Sequence, residues 1–129
     1  LNAALLDSGR QVLVPRIVGS NLHWAAFTAQ ADLGIGAMGI REPRGPQVEL
    51  VDVQTMFIPA LAVDRSGMRL GHGGGFYDRA LSTQPRHSEG GPLVIAITFT
   101  DEYVGSVPAE WFDRRVDALI TPDGVHRFA

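Results

Sequence analysis

A nearly continuous apolar segment near the middle of the chain constrains the fold more than any other feature. The side chains at residues 53–64 are almost all hydrophobic until the segment ends at Asp64. A strand that is covered on both faces has this pattern, because neither of its alternating sets of side chains meets water. We therefore predict a central strand that delivers its carboxyl end to Asp64.

The order of elements around this strand predicts the fold class. A turn at residues 65–67, a glycine-rich loop at 71–75 and a helix at 76–82 follow it. The other predicted elements are strands at 11–18, 22–28, 93–99 and 116–121, a surface loop at 32–46, and a short turn or helix at 108–112. Strands that alternate with helical stretches are typical of an α/β fold with ligands beyond the strand carboxyl ends. We expect an open, largely parallel sheet with helices on both faces, in a Rossmann-like three-layer arrangement.

Length and composition exclude several classes of protein. The 129 residues suit a single domain, residues 1–129. A net charge of −3 without a basic cluster argues against a nucleic-acid partner, since such surfaces concentrate positive charge. No apolar run approaches the roughly 20 residues of a membrane-spanning helix. With no secretion signal at its start, the chain is expected to be cytoplasmic and without a membrane partner.

The residue types also limit the possible chemistry. All 11 basic residues are arginine, which excludes a Schiff-base or P-loop lysine, and the absence of cysteine excludes thiolate nucleophiles and cysteine-bound zinc. A bound phosphate would therefore be held by guanidinium groups, backbone amides or a metal. Residues 1–9 have the pattern of the last turns of a helix that ends at Gly9. The chain is expected to begin inside an element.

The glycine-rich loop at residues 71–75 is the main candidate for a binding site. Dense glycine allows backbone amides to approach and face an anion such as phosphate. An ordinary glycine-rich turn remains an equal alternative on this feature alone. The loop matches neither a Walker sequence nor a dinucleotide fingerprint. Arg69 before it and Asp78 after it place a guanidinium and a carboxylate on its two shoulders, where they could hold phosphate oxygens and a phosphate-bound Mg²⁺.

A longer pattern around this loop resembles a known family. Residues 57–64 and 67–79 together resemble the signature of the 5-formyltetrahydrofolate cyclo-ligases, also called methenyltetrahydrofolate synthetases. Flanking features agree in order: residues 9–15 resemble the family's strand ending in Leu-Pro, residues 39–43 its Gly-Ile-x-Glu-Pro turn, and residues 107–121 its closing segment. The resemblance covers essentially the whole chain and implies that the N-terminal quarter to third of the family fold is missing.

The resemblance implies an enzyme of one-carbon metabolism with 5-formyltetrahydrofolate and MgATP as partners. Such an enzyme phosphorylates the formyl oxygen and closes the ring to 5,10-methenyltetrahydrofolate, releasing ADP and phosphate. It would act as a monomer or weak homodimer. The alternative is a homologue that keeps the fold and binds folate or nucleotide without turnover. An unrelated α/β kinase or sugar-phosphate protein is disfavoured by the length of the match at residues 64–79.

The resemblance also implies roles for individual residues. Arg69 is the implied catalytic residue, and Asp78 and Asp113 are the implied Mg²⁺ ligands. The implied ATP-binding residues are Arg69, Leu70, Gly71, His72, Gly73, Gly74, Gly75, Phe76 and Tyr77, and the implied folate-binding residues are His72, Gly73, Gly74, Gly75 and Phe76.

Each role has a structural alternative. Arg69 could be a surface ion-pair partner, Asp78 could stabilise the first turn of a helix, and Asp113 could cap an element. His72 could be a solvated loop residue. Trp24 and Trp111 are expected to pack at the edge of a core, where tryptophan is common, in preference to stacking on a pterin.

Overall fold

The computed structural model describes residues 1–29, 32–36, 39–108 and 114–128, and these form two compact units. The first unit spans Leu1–Val51 and the second spans Asp52–Ala129. The predicted glycine loop and its two shoulders all lie in the second unit. Asp113 and Trp111 fall outside the described residues.

The first unit contains a short helix and an antiparallel hairpin. Helix α1 spans Asn2–Asp7, and Gly9 ends it with a left-handed φ of 88°, a conformation that glycine adopts without steric cost. Strands β1 (Leu13–Val18) and β2 (Asn21–Ala26) pair with Leu13 opposite Ala26. Two two-residue strands, β3 (Gly34–Ile35) and β4 (Arg41–Glu42), pair within the predicted surface loop. The helix end and both strands were predicted from the sequence.

The larger sheet of the second unit has four strands. Its members are β5 (Thr55–Pro59), β8 (Leu93–Ile97), β10 (Ala118–Thr121) and β11 (Gly124–Arg127). The spatial order is β11-β10-β8-β5; β5 and β10 both run parallel to β8, and β11 returns antiparallel to β10. Helix α2 (Phe76–Ser82) lies in the connection from β5 to β8. The carboxyl ends of three parallel strands therefore meet at one edge.

The two faces of this sheet differ in burial. Met56, Ile58, Val94, Ala96 and Leu119 are at most 5% exposed and occupy one face. Most of the alternating positions on the other face are less buried: Ile97 is 40% exposed, although Ala118 is only 2% exposed. Parallel strands added in one direction place their right-handed crossovers on the same face. This rule explains why one face forms the core of the second unit.

A smaller sheet corrects the prediction of one long strand over residues 53–64. The chain leaves the large sheet after Pro59, and β6 (Ala62–Asp64) joins β7 (Arg69–Leu70) and β9 (Tyr103–Val104) instead. Proline has no N–H to donate, which makes Pro59 a natural end for a central strand. Asp64 thus ends the short strand β6, not the central strand.

The observed class is mixed α/β, with parallel and antiparallel pairs. Two parallel pairs in the large sheet confirm the predicted parallel core, whereas the hairpins β1–β2, β6–β7 and β10–β11 are antiparallel. The three-layer arrangement stays a prediction. Within the described part of the chain, no helix has the length and apolar character needed to cross a membrane.

Candidate functional site

Arg69 is the centre of the candidate site. It lies in β7 opposite Val63, and its side chain is only 5% exposed. Its Nε donates to the carbonyl oxygen of Pro59 at 2.8 Å, and its Nη1 lies 3.0 Å from Asp78 Oδ1. The guanidinium is therefore held between the carboxyl end of β5 and the first turn of α2. The sequence predicted Arg69 and Asp78 on separate shoulders of the loop, and the structure brings them into contact.

Tyr77 lies beside this ion pair. The Arg69 guanidinium carbon is 5.9 Å from the centre of the Tyr77 ring, within the range of a cation–π contact. Burial raises the pKa of the Tyr77 phenol, although the positive charge of Arg69 acts in the opposite direction. Tyr77 is therefore a neutral aromatic neighbour of the guanidinium.

The glycine loop at residues 71–75 joins β7 to α2. Gly73 and Gly75 have φ values of 95° and 70°, in the left-handed region where other residues are strained. Among the described residues, no partner is found for the backbone N–H groups of residues 71–75. Backbone amides need hydrogen bonds, so unpaired ones at a surface are available to water or to an anion. The loop therefore has the donors that an anion site requires.

Arg79 holds the far side of the loop, a role that the sequence analysis did not assign. Its Nη2 donates to the Gly74 carbonyl oxygen at 2.9 Å, and its guanidinium carbon lies 5.3 Å from the centre of the Phe76 ring. These contacts connect α2 back to the loop that precedes it. Arg79 lies in α2 only five residues after Gly74, and this short separation is a signal that could have suggested the contact.

Asp64 lies at the opposite end of the β6–β7 hairpin from the glycine loop. Its carboxylate is 6% exposed and accepts four hydrogen bonds: from Ser66 N at 2.8 Å, Ser66 Oγ at 2.7 Å, Met68 N at 3.0 Å and Val107 N at 3.2 Å. Burial acts to raise the pKa of the Asp64 carboxyl, but these hydrogen bonds outweigh it and the pKa is lowered from its ordinary value of 3.8. Three of these bonds come from Ser66 and Met68 in the turn that follows β6, so the carboxylate stabilises the chain reversal between β6 and β7.

Asp78 and Asp113 were the predicted metal ligands. Asp78 lies in the first turn of α2 and is 62% exposed, with Oδ1 engaged by Arg69. Asp113 lies outside the described residues, so its position relative to Asp78 stays a prediction. Within the described ranges, no group of three or more acidic or histidine side chains could hold a metal ion. A metal at Asp78 would therefore need ligands from outside that part of the chain, such as phosphate oxygens and water.

Arg114, in the segment before β10, forms hydrogen bonds with the end of α2 and the residues that follow it. Its Nη1 donates to the carbonyl oxygens of Leu81 and Gln84 at 2.8 and 2.6 Å, and its Nη2 donates to that of Pro85 at 2.8 Å. Burial lowers the pKa of the Arg114 guanidinium, and the nearby charge of Arg86 acts in the same direction. No pattern in the sequence indicates this role, because the helix end and Arg114 are far apart in the chain.

Comparison with known proteins gives one consistent family. The model of the 5-formyltetrahydrofolate cyclo-ligase family matches residues 1–122. The chain is 36% identical over 129 residues to a 5-formyltetrahydrofolate cyclo-ligase from Mycolicibacterium smegmatis, a match that covers 92% of the chain and 63% of the relative. It is 30% identical over 127 residues to the protein of the same name from Escherichia coli K12, a match covering 94% of the chain and 68% of the relative.

Two solved structures that resemble this chain are methenyltetrahydrofolate synthetases. The NMR structure of 5,10-methenyltetrahydrofolate synthetase from Aquifex aeolicus aligns with a TM-score of 0.78 and 30% identity, over 97% of this chain and 61% of the other. A synthetase from Mycoplasma pneumoniae aligns with a TM-score of 0.63 and 20% identity, over 90% of this chain and 58% of the other, and supports the fold alone. The chain thus spans less than two thirds of the length of both structures.

Proposed function

The chain belongs to the 5-formyltetrahydrofolate cyclo-ligase family, and from this membership we propose that the full-length protein uses ATP to convert 5-formyltetrahydrofolate into 5,10-methenyltetrahydrofolate. The observation that carries the proposal is the buried guanidinium of Arg69 beside a glycine loop whose amides have no partner among the described residues. Both features suit a polyphosphate, which offers many anionic oxygens. The names of the relatives supply the second substrate, a formylated folate.

We assign the phosphate contacts to the loop and its flanking residues. Arg69 has Nε and Nη1 occupied by the protein, and the rest of its planar fork can donate to a phosphoryl oxygen. The amides of residues 71–75 would surround the same group. Leu70, Phe76 and Tyr77 would complete the ATP site through backbone and ring contacts. These donors would neutralise charge during transfer, which is the main task of a phosphoryl-transfer site.

The proposed reaction needs no side-chain nucleophile. The formyl oxygen attacks the γ-phosphorus, the bond to the bridging oxygen of ATP breaks, and ADP leaves. The resulting iminophosphate carbon is then attacked by N10 of the folate, which loses its proton, and the carbon–oxygen bond breaks to release phosphate. His72 and Phe76, together with Gly73, Gly74 and Gly75, would lie near the folate. The protein contributes positioning and electrostatic stabilisation, which are worth several kcal/mol each in such reactions.

The donor chemistry near the loop fits Mg²⁺. Carboxylate oxygens are suitable ligands, and Mg²⁺ typically takes one or two of them beside phosphate oxygens and water. Asp78 would be one protein ligand, since its carboxylate is mostly exposed and has a second oxygen beside the one that Arg69 engages. Asp113 is the proposed second ligand. When bound, the ion would neutralise part of the phosphate charge.

The proposal is tested by mixing the full-length protein with MgATP and 5-formyltetrahydrofolate and following the absorbance of the methenyl product together with ADP. We expect the two products in equal amounts, and neither when one substrate is left out. ADP without a folate product would contradict the cyclo-ligase assignment. Binding of either substrate without any product would favour the alternative of a binding homologue.

A further inference from the structure

An exposed aromatic residue, Phe99, lies at the same edge of the sheet as the proposed site. Phe99 is 70% exposed, although phenylalanine is usually buried, as Phe27 is at 3%. It follows the carboxyl end of β8, the neighbour of β5 in the large sheet. Ligands of open α/β sheets bind beyond these strand ends.

The strand register connects Phe99 and Arg69 to the carboxyl ends of two neighbouring strands. Arg69 donates to the carbonyl oxygen of Pro59, and Pro59 is the register partner of Ile97, two residues before Phe99. Ile97 and Phe99 alternate with the buried residues Ala96 and Thr98, so both side chains point to the same side of the strand. The backbone of Phe99 is extended, with φ −78° and ψ 163°.

Other apolar side chains are exposed at this edge. Leu61 and Leu70 are 44% and 38% exposed, and the Leu61 amide donates to the Leu70 carbonyl at 2.9 Å. Ile97 is 40% exposed. Single exposed apolar residues are ordinary, but a group of them beside a polar site is typical of a ligand-binding surface. We call Leu61, Leu70, Ile97 and Phe99 the apolar rim.

The backbone of Phe99 is held while its ring is left exposed. Phe99 and Glu102 are joined by two reciprocal hydrogen bonds. Glu102 Oε1 accepts from Phe99 N at 2.8 Å, and the backbone N–H of Glu102 donates to the Phe99 carbonyl at 3.1 Å. Thr98 Oγ1 donates to the same carbonyl at 3.0 Å. The backbone at this position therefore loses little further conformational entropy on binding, which favours a preorganised contact.

We propose that Phe99 positions the folate substrate by packing its ring against a planar ring of the folate, either the pterin or the aminobenzoyl group. This inference rests on the proposed function. The Arg69 side of the edge would hold the anionic phosphates, and the apolar rim would receive the flat part of the molecule that carries the formyl group. Aromatic rings pack well on such faces and exclude water from them.

The test compares Phe99→Ala with wild-type full-length protein in steady-state kinetics. We expect KM for 5-formyltetrahydrofolate to rise about tenfold, with kcat and KM for ATP little changed, because a contact made equally in the ground and transition states acts on KM. Phe99→Tyr should restore the wild-type KM. Val51→Ala is the matched control, since Val51 has the same exposed fraction of 70% and lies outside the rim. Val51→Ala should leave kcat and KM for both substrates unchanged.

Two fragments identify the ring that Phe99 contacts. Inhibition by a tetrahydropterin and by p-aminobenzoylglutamate is measured on wild type and Phe99→Ala, and the fragment whose inhibition weakens is the one in contact. An active wild type with unchanged folate KM in Phe99→Ala would overturn the inference, as would a rise in KM for ATP alone. Failure of the proposed function is distinguishable, because the wild type itself would then form no methenyl product.

Discussion

The guanidinium of Arg69 joins two elements that are separate in sequence: Nε donates to the Pro59 carbonyl at 2.8 Å, and Nη1 lies 3.0 Å from Asp78 Oδ1. A planar fork can make both contacts and still present N–H groups to a ligand, whereas an ammonium is a point donor. We predict that Arg69→Lys lowers kcat/KM by roughly 30- to 1000-fold, or about 2–4 kcal/mol in the transition state.

The control for this variant is Arg127→Lys, an exposed exchange on strand β11. Steady-state kinetics and a melting curve are measured on both proteins. A folded Arg69→Lys enzyme with near wild-type kcat/KM would place Arg69 outside the site.

Asp64 predicts a specific dependence of stability on pH. Its pKa in the folded protein lies below the ordinary value of 3.8, so its ionised form stabilises the fold. This contribution is fully present above the unfolded pKa and is lost as the pH falls through the folded pKa. We predict that Asp64→Asn lowers the free energy of unfolding by about 2–4 kcal/mol at pH 7 and that the difference from wild type narrows below about pH 4.

Urea denaturation at a series of pH values from neutral to acid measures this difference directly. Asp101→Asn, a change at an exposed carboxylate, is the control and should follow the wild type. A constant difference between Asp64→Asn and wild type across the series would show that ionisation of Asp64 does not stabilise the fold.

Asp64 and Asp78, which precede and follow the glycine loop in the sequence, should respond differently to magnesium. Asp78 is mostly exposed, whereas the carboxylate of Asp64 accepts four hydrogen bonds from the protein. We predict that Asp78→Asn strongly raises the Mg²⁺ concentration needed for half-maximal activity and that Asp64→Asn changes it little, because the amide lacks the charge that draws a hydrated Mg²⁺ into contact. Magnesium is titrated at saturating ATP. An equal rise in the required Mg²⁺ concentration in both variants would mean that the overall electrostatic field around the loop attracts the metal, and that Asp78 does not bind it directly.

Arg114 should be important for stability although it lies far from helix α2 in sequence. It donates to three carbonyl oxygens at the end of that helix, at 2.6–2.8 Å. We predict that Arg114→Met lowers the free energy of unfolding by about 1–3 kcal/mol, since three carbonyls, two of them in part-buried contacts, lose their donor. The matched control is the exposed neighbour Arg115, whose Nε contacts Ser66 Oγ at 3.4 Å, and Arg115→Met should have little effect. Similar losses in both variants would contradict the capping role.

The sequence predicted the elements better than their arrangement. Periodicity identified the hairpin strands, the glycine loop and helix α2, because local patterns of apolar side chains and glycine decide these features. It did not divide residues 53–64 into two strands of different sheets, since both strands are apolar and Pro59 alone marks the break. The pairing of β6 with β9 joins segments that are far apart in the sequence, so it depends on tertiary packing.

In the site as well, features within one short motif were predictable, whereas contacts between distant segments of the chain were not. The loop and Arg69 stand in one motif that a reader of the sequence can recognise. The contact between Arg69 and the Pro59 carbonyl depends on how a hairpin folds back, and that of Arg114 with α2 spans about thirty residues. The exposure of Phe99 could not be read from the sequence, because residues 93–99 have the pattern of an ordinary buried strand.

The central claim is that the formyl oxygen is phosphorylated before the ring closes, and oxygen labelling tests it most directly. The full-length protein is supplied with MgATP and 5-formyltetrahydrofolate carrying ¹⁸O in the formyl group, and the released phosphate is analysed by mass spectrometry. Because the carbon–oxygen bond breaks only after phosphorylation, we predict one ¹⁸O atom in the phosphate for each methenyl product formed. Methenyl product accompanied by unlabelled phosphate would contradict the account.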